Sequence, residues 1–321
     1  MIKVNSEEVL FIDAHCHVFD QVHGIRIGDT PTLSADYGRV KVGDKLDQIM
    51  APSYVNTSSP IEVLEIEFLR SGVDKAVLPA GPAFGPQYKL HDEIIKKNPG
   101  KYVTCGLACP TRGKEQFLRE ATESLIDHNY PALKFEMPDT PFVVDAKENA
   151  YIFEFLLEHD KFIMIDLGWG PLEYAENNPF NYPIEMIKNV VKRYTDLKFI
   201  FPHLGISQLW DENEYTNFDT LKNTLSLLDL NDNVWFDMSG LTFVAYKFDE
   251  YPYPRAQSAL KAAKDTVGMD HIMWGTDYPS NTPYCTYQQC VDYVFKHCEF
   301  LTERDKVNLA GAVADKVWFG N

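Results

Sequence analysis

The sequence predicts a single-domain (β/α)8 barrel, the TIM-barrel fold, and two observations lead to that prediction. Eight short apolar runs recur along the 321 residues, and longer amphipathic stretches separate them. Short runs rich in Val, Ile and Phe are typical of strands that are buried on both faces, as in a parallel sheet. Barrels of this kind often hold this many residues in one domain. An open doubly wound sheet is the alternative, and it is disfavoured because no GxGxxG motif follows an early run.

Each of the eight predicted strands is a run of mainly apolar residues. In chain order they cover residues 9–13, 74–80, 102–110, 131–136, 161–168, 197–205, 233–240 and 271–277. The stretches between them have apolar residues at helical spacing. We predict helices over residues 59–72, 114–128, 147–160, 184–195 and 218–229. The first of these has Ser59 as a candidate N-cap, Pro60 at the first helical position and Gly72 just past the end.

Residues 18–58 interrupt this alternation with a long insertion after the first strand, rich in Gly, Pro, Asp and Ser. A loop of this length in a compact domain is usually functional or carries short structure of its own. In a barrel it emerges at the carboxyl ends of the strands, above the active site. We therefore expect it to cover the barrel mouth. The alternative is an arm between the two copies of a homodimer.

The composition excludes several classes of partner. The formal net charge is -17, so nucleic acid and anionic membranes are repelled. No run of 18 or more apolar residues predicts a transmembrane helix, and the first fifteen residues lack the apolar stretch of a signal peptide. The six cysteines form no CxxC pair. We expect a cytoplasmic protein with reduced thiols, acting on a small molecule.

Titratable side chains stand at the ends of four predicted strands. His15 and His17 follow the first strand, Asp166 ends the fifth, His203 ends the sixth and Asp277 ends the eighth. Side chains two residues apart on a strand point the same way, so His15 and His17 can bind one cation together. An HxH pair alone is a weak signal, because hydrogen-bonded polar residues explain it more simply. A barrel, however, brings all of these strand ends together, which favours a shared site.

The segments that carry these residues resemble the amidohydrolase superfamily, in its amidohydrolase-related branch of aminocarboxymuconate-semialdehyde decarboxylase-like enzymes. The resembling segments are IDAHCH, ALKFEMP, FIFPHLG, NVWFDMSG and MWGTDYP, in the order of the family and spread over nearly the whole chain. The resemblance implies one divalent metal ion at the barrel mouth. It implies His15 and His17 as metal ligands, His203 as the catalytic imidazole, and Asp277 as a ligand that also handles a proton.

The chain departs from this family at two positions. Asp166 stands where most relatives have a histidine ligand, and Val313 replaces an asparagine that supports the barrel in relatives. Asp166 can itself be the fourth ligand, which makes a site of two histidines and two aspartates formally neutral around a divalent ion. Zinc and manganese both suit such donors. A metal-free site, in which Asp166 orients a histidine, is the alternative.

Four further residues are predicted to bind the substrate. Arg112 follows the third strand and can pair with a substrate carboxylate, although a surface salt bridge explains it equally well. Trp169 and Tyr278 flank site residues and can form an apolar wall, and Ser239 ends the seventh strand. Lys134 ends the fourth strand, where other branches of the superfamily bridge two metals; we assign it no metal.

The predicted function is hydrolysis of a lactone, amide or similar bond in a small organic acid. Non-oxidative decarboxylation of an aromatic or unsaturated acid is the alternative reaction, since the same site can orient a carboxylated substrate. A non-catalytic binding protein on the same barrel is the alternative from another class. The departure from the family pattern at Asp166 is the feature that supports it.

Overall fold

A computed structural model describes residues 1–4, 6–26, 29–137, 142–168, 184–205, 218–242 and 250–320. Its central feature is an eight-stranded parallel sheet in which the strands are neighbours in chain order. The first and last strands approach each other, since the Ala14 N–H donates to the Trp274 carbonyl over 3.0 Å and Cys16 bridges to Tyr278 in parallel. The predicted (β/α)8 barrel is therefore confirmed.

Fourteen strands lie in the described part of the chain, and eight of them form the barrel. The barrel strands are β3, β8, β9, β10, β11, β12, β13 and β14. In chain order the strands are β1 (Ile2–Val4), β2 (Glu7–Val9), β3 (Ile12–Asp13), β4 (Ile25–Arg26), β5 (Thr30–Ser34), β6 (Arg39–Val42), β7 (Lys45–Gln48), β8 (Lys75–Pro79), β9 (Tyr102–Gly106), β10 (Ala132–Glu136), β11 (Phe162–Asp166), β12 (Phe199–Phe201), β13 (Val234–Asp237) and β14 (Ile272–Met273).

The first predicted strand, over residues 9–13, is divided between two elements. Val9 ends β2, which pairs antiparallel with β1 in a small hairpin, and only Ile12 and Asp13 belong to the barrel. Val9 packs against the larger core cluster, and Ile12 belongs to the cluster inside the barrel. The run is therefore apolar on both sides of the division.

Nine α-helices are described between and after these strands. They are α1 (Ile61–Ser71), α2 (Tyr88–Lys97), α3 (Lys114–Thr122), α4 (Ala150–Glu158), α5 (Ile184–Arg193), α6 (Asp219–Leu225), α7 (Pro254–Val267), α8 (Tyr287–Phe295) and α9 (Glu303–Val307). Helix α3 continues as a π-helical turn over Glu123–Asp127, so the prediction over 114–128 is confirmed nearly to its end. None of the described helices has the length and apolar character needed to cross a membrane.

The N-terminus of α1 differs from the prediction by one residue. Pro60 is the N-cap, and no side chain caps the helix there. The predicted cap, Ser59, is wrong because its hydroxyl donates to the His17 carbonyl over 2.9 Å instead. Gly72 ends the helix in the left-handed conformation, with φ 77° and ψ 21°, as predicted.

The inside of the barrel is filled by alternate residues of the strands, as a period of two requires. Ile12, Val77, Ala132 and Met164 belong to this inner cluster, together with side chains of the C-terminal segment 313–318. Trp318 packs on Phe162, which begins β11, with ring centroids 5.0 Å apart. The C-terminal segment therefore closes the amino-terminal end of the barrel and leaves the carboxyl ends of the strands for a site. Val313, which departs from the family pattern, is buried in this cluster.

The insertion after β3 contains a four-stranded antiparallel sheet, β4 to β7. Its backbone is joined to loops that follow the barrel strands. Ile25 donates to the Pro82 carbonyl over 2.8 Å, and the Ala51 N–H donates to the Thr282 hydroxyl over 3.0 Å. Pro82 follows β8 and Thr282 follows β14, so both contacts lie on the side where the strands end.

Candidate metal centre at the carboxyl ends of the barrel strands

The structure brings the predicted strand-end residues into one buried group. His15, His17, Asp166, His203 and Asp277 are all at most 5% exposed. Candidate ligand atoms of His15, His17 and Asp277 lie within 4.8 Å of one another. The rings of His15 and His203 have centroids 5.0 Å apart.

His15 is oriented by a carboxylate from another strand. Its Nδ1 lies 3.0 Å from Oδ2 of Asp237, which ends β13. A carboxylate only accepts, so Nδ1 carries the proton and the lone pair of the neutral ring is on Nε2. Burial lowers the pKa of His15 to about 4, against the opposing effect of Asp237. His15 is therefore a neutral imidazole with an available Nε2.

His17 and Asp277 form the second close pair of the site. Nδ1 of His17 lies 2.8 Å from the Pro79 carbonyl, which can only accept, so this nitrogen donates. The other ring nitrogen, Nε2, lies 3.0 Å from Oδ1 of Asp277. In a neutral ring this places a nitrogen lone pair against a carboxylate oxygen, which is favourable only when a cation lies between them. That cation is either a proton on Nε2 or a metal ion.

Asp277 is suited to remain ionised in this buried position. Burial alone would raise its pKa, but the hydrogen bond from His17 and the neighbouring histidines hold the pKa well below the usual value. Its backbone has φ 58°, the left-handed conformation that is uncommon outside glycine. Non-glycine residues in this conformation cluster at functional sites.

His203 is held as a charged imidazolium. Its Nδ1 donates to the Ser239 carbonyl over 2.9 Å, and its Nε2 lies 3.4 Å from Oδ2 of Asp166. Burial alone would lower its pKa, but the charge of Asp166, followed by those of Asp277 and Asp237, raises the pKa to about 9. His203 also has a left-handed backbone, with φ 58°. Asp166 therefore contacts the catalytic candidate directly.

Lys134 brings a positive charge to the same group of side chains. It is 2% exposed and pairs with Glu136, with Nζ 3.1 Å from Oε1. Nζ also lies 3.3 Å from Nε2 of His15. Burial would lower the pKa of Lys134, but Glu136, Asp166 and Asp277 raise it, so the ammonium is retained. The lone pair of His15 thus already faces a cation.

Asp13 fixes the first strand against the last one. Its carboxylate accepts from the His15 backbone over 3.1 Å, from the Thr276 hydroxyl over 2.7 Å and from the Tyr287 hydroxyl over 2.7 Å. Burial raises the pKa of Asp13 to about 7 despite these hydrogen bonds. Asp13 thereby positions the backbone that carries both His15 and Asp277.

The four predicted substrate-binding residues occupy different places. Ser239 is buried beside His203, and Tyr278 is 3% exposed, with its hydroxyl 2.6 Å from that of Tyr54 in the insertion. Arg112 is partly exposed and pairs with Asp29 and Glu120 over 3.1 and 3.3 Å. It lines a cavity of about 440 Å³ between the insertion and the loops after β8 and β9. Trp169 lies outside the described residues.

Sequence reasoning did not assign Asp237, Asp13 or the contact of Lys134 with His15. Asp237 ends an apolar strand, as Asp166 and Asp277 do, so the same signal could have identified it. Asp13 precedes the HxH pair, where it reads as the last residue of a strand. Its role depends on contacts with residues more than 250 positions away, which no local pattern reveals.

The donor set fits a divalent metal ion. Two imidazoles and one carboxylate are a ligand combination used by catalytic zinc sites. Nε2 of His17 and Oδ1 of Asp277 face each other over 3.0 Å with a proton or a metal ion between them, and Nε2 of His15 carries a lone pair. A second candidate group consists of His15, His203 and Asp237. Because the Asp237 carboxylate already accepts from His15 and Ser239, and the raised pKa of His203 favours its charged form, the group of His15, His17 and Asp277 suits an ion better.

Comparisons with known proteins show what the whole chain is similar to. A model of the amidohydrolase family matches residues 12–318, whereas no curated protein matches the chain. An amidohydrolase from Burkholderia multivorans with bound zinc is similar in structure, with a TM-score of 0.69 and 17% identity over 97% of this chain and 99% of that chain.

Two further solved structures are similar over most of the barrel. A probable 2-pyrone-4,6-dicarboxylic acid hydrolase from Acinetobacter baumannii, with citric acid bound, has a TM-score of 0.64 and 15% identity over 97% of this chain and 99% of that chain. A 5-carboxyvanillate decarboxylase from Sphingomonas paucimobilis has a TM-score of 0.57 and 16% identity over 82% and 84% of the two chains. The family match over residues 12–318 confirms the predicted resemblance: the chain belongs to the amidohydrolase family.

Proposed function

We propose that this amidohydrolase-family enzyme is a metal-dependent hydrolase that opens a lactone, amide or similar bond in a small organic acid. The observation that carries the proposal is Nε2 of His17 facing the carboxylate of Asp277 over 3.0 Å inside a buried group of titratable residues. Without a proton or a metal ion between them, these two groups would be buried acceptors against each other. A cation is the group that makes this arrangement favourable.

His15, His17 and Asp277 would hold the ion, and we propose Asp166 as the fourth ligand. Zinc and manganese are the candidate metals, and the zinc bound to the Burkholderia multivorans relative supports zinc. The 3.4 Å contact of Asp166 with His203 supports the competing role, in which Asp166 orients the catalytic imidazole. When bound, a divalent ion supplies Lewis acidity and lowers the pKa of water.

The residues around the ion would have different roles in hydrolysis. His203, positively charged and donating from both ring nitrogens, polarises the scissile carbonyl and then gives a proton to the leaving oxygen or nitrogen. Asp277, ionised at neutral pH, accepts a proton from the attacking water. The water oxygen becomes part of the new carboxylate, and the bond to the leaving group breaks. Asp237 holds His15 in the tautomer that leaves Nε2 available.

The substrate would be a small organic acid. The relative from Acinetobacter baumannii is named for a dicarboxylic acid and holds citric acid, which supports an anionic substrate. Lys134 is the buried cation beside the site that can face such a charge. We propose Ser239 and Tyr278 as substrate contacts close to the site, with Arg112 and Trp169 as contacts of the outer rim.

The insertion over residues 18–58 would cover the mouth of the site. Its hydrogen bonds to loops after β8 and β14 support this position, as does the contact of Tyr54 with the Tyr278 hydroxyl. Phe84, from the loop after β8, stacks on Phe19 of the insertion and lies with its ring centroid 4.8 Å from that of His17. An aromatic layer thus connects the insertion to a proposed metal ligand. We also propose a cytoplasmic location, which the six free and buried cysteines support.

Decarboxylation of an aromatic acid is the second candidate reaction. The protonated His203 favours it, because a decarboxylase must return a proton to the carbon that loses carbon dioxide. The similar 5-carboxyvanillate decarboxylase supports the same reaction. A binding protein without catalysis has no evident use for a buried imidazolium beside an ionised Asp277.

A screen of lactones and hydroxybenzoates, with zinc or manganese added and with both withheld, tests these functions. We expect ring opening of a lactone in the presence of metal and its loss in His203→Gln and Asp277→Asn. Carbon dioxide release from a hydroxybenzoate would identify the decarboxylase instead. Turnover that is unchanged in Asp277→Asn would contradict the assigned site.

A further inference from the structure

Helix α1 has a second apolar face that points away from the barrel. Leu64 and Phe68 are buried, as expected for the inner face. Val63, Ile66 and Leu69 are 40%, 56% and 85% exposed. They recur every three residues, so they form one stripe along the outer surface of the helix. Isolated exposed apolar residues are ordinary on a protein surface, but an aligned set of three on one helix is a candidate contact surface.

The outer face of α1 is symmetric about Ile66. Val63 and Leu69 lie three residues before and after it, and Glu62 and Arg70 lie four residues before and after it. All five side chains are exposed. At 100° per residue they lie within about a third of the helix circumference, with Ile66 at the middle. The face therefore has an apolar centre with opposite charges at its two ends.

We propose that this face of α1 binds α1 of a second copy of the chain, antiparallel and about a two-fold axis at Ile66. A two-fold interface uses the same patch on both copies, so each residue must suit its symmetry mate. In the antiparallel pair Ile66 meets Ile66 of the other copy, and Val63 meets Leu69. Glu62 lies opposite Arg70, and the symmetry repeats this ion pair.

The charges at the two ends of the face are complementary to those of a second, antiparallel copy. The chain has a net charge of -17, so two copies repel each other at long range. A face that pairs Glu62 with Arg70 twice offsets that repulsion locally. The side chain of Arg70 is 69% exposed, and its contact with Glu67 is 4.0 Å long, so the guanidinium remains accessible. An anionic membrane would be repelled both by Glu62 and by the whole chain.

Met1 lies just beyond the end of the same helix. Met1 is 58% exposed, and its amino group contacts the Gly72 carbonyl just beyond the end of α1 and Asp74 over 2.9 Å. A stable interface needs about 800 Å² from each copy, which exceeds what one helix face supplies. We therefore expect a dimer that dissociates on dilution. The inference is independent of the proposed reaction.

Sedimentation equilibrium of the full chain over a range of concentrations tests this dimer. We expect reversible dimerisation, its loss in Ile66→Glu, and an association constant about tenfold lower in Glu62→Arg or in Arg70→Glu alone. The double variant Glu62→Arg/Arg70→Glu should recover the wild-type association constant, because it exchanges the two charges of each symmetric pair. The two single variants change the net charge of the chain in opposite directions. If both weaken dimerisation, the cause is loss of the local ion pair and not the change in net charge.

Glu154→Arg, at an exposed position of α4, is the matched control and should leave association unchanged. Circular dichroism of each variant verifies that it is folded. A chain that stays monomeric at every concentration overturns the proposal. So does a dimer that persists in Ile66→Glu or that is not recovered in the double variant.

Discussion

Nδ1 of His15 lies 3.0 Å from Oδ2 of Asp237, and both side chains are completely buried. The carboxylate also accepts hydrogen bonds from the backbone of His203 over 3.3 Å and of Ser239 over 3.0 Å. Asp237 therefore links the first histidine of the site to the catalytic candidate. Its carboxylate is held ionised: burial would raise its pKa, but the neighbouring His15, the charge of His203 and the hydrogen bond from Ser239 lower it.

Asp237→Asn should weaken metal binding without removing a ligand. Asparagine lacks the negative charge that fixes the Nδ1–H tautomer of His15. Losses of about 10- to 100-fold in metal affinity are typical when such a partner is changed. Zinc titration against a competing chelator measures the effect, with the exposed Asp229→Asn as the control. Equal affinities of wild type and Asp237→Asn would show that His15 does not bind through Nε2.

Removal of the first-strand histidines should abolish metal binding. We expect purified protein from medium with zinc and manganese to hold about one divalent ion per chain, because one group of donors serves one ion. His15→Ala and His17→Ala should each lose it, whereas the exposed His297→Ala should keep it. Elemental analysis of unchelated protein gives the stoichiometry. Metal-free wild type at neutral pH would support the metal-free site with Lys134 as its cation.

Asp166→Asn separates the two roles of Asp166. If Asp166 is a ligand, the neutral amide should lower both metal affinity and turnover, since it is a poorer donor to a divalent ion. If Asp166 only holds His203, turnover should fall while metal affinity stays at the wild-type value. Asp166→His restores the ligand type of most relatives and should retain the metal in the first case. Metal titration and turnover on the substrate from the screen decide between the outcomes.

Acid should destabilise the fold partly through His91. This residue, in α2, is buried between Val18 of the insertion and Thr104, and burial lowers its pKa to about 4 from the usual 6.5. An unfolded chain binds the proton more readily, so the stabilisation is complete above pH 6.5 and is lost as the pH falls towards 4. This difference in pKa between the folded and unfolded chain corresponds to about 3 kcal/mol.

Urea denaturation at several pH values across this interval measures the effect. His91→Gln cannot titrate, so its free energy of unfolding should depend less steeply on pH than that of the wild type. The exposed His297→Gln is the control and should retain the wild-type slope. Identical slopes for His91→Gln and wild type would rule out His91 as the source.

The insertion should respond to an occupied site. Limited proteolysis should cut within residues 18–58 first, and the substrate from the screen should slow that cleavage. Tyr54→Phe loses the hydroxyl that bonds to Tyr278 and should be cut faster, whereas the exposed Tyr37→Phe should behave as wild type. Equal cleavage rates with and without bound substrate would favour an arm between copies of the chain over a cover of the barrel mouth.

Much of this architecture could be predicted because its signals are local. Each barrel strand is a short apolar run, buried on both faces, so its position is visible from composition alone. The spacing of His15 and His17 follows from the period of a strand, and the strand ends converge in any barrel. The predicted element boundaries differ from the structure where two elements share one apolar run, as at Val9. They also differ where a polar side chain has a partner distant in sequence, as at Ser59.

The sequence by itself therefore determined the barrel, its family and the set of strand-end residues that lie together in one buried group. Only the tertiary structure decided how those residues pair: His15 with Asp237, His17 with Asp277, and Asp166 with His203. These partners are between 37 and 260 positions apart, or, for Asp13 and Tyr287, 274 apart. Strand register and closure of the sheet bring them together. The local pattern predicts which residues lie at the barrel mouth. The contact between a histidine ring nitrogen and its carboxylate forms only when the whole barrel is closed.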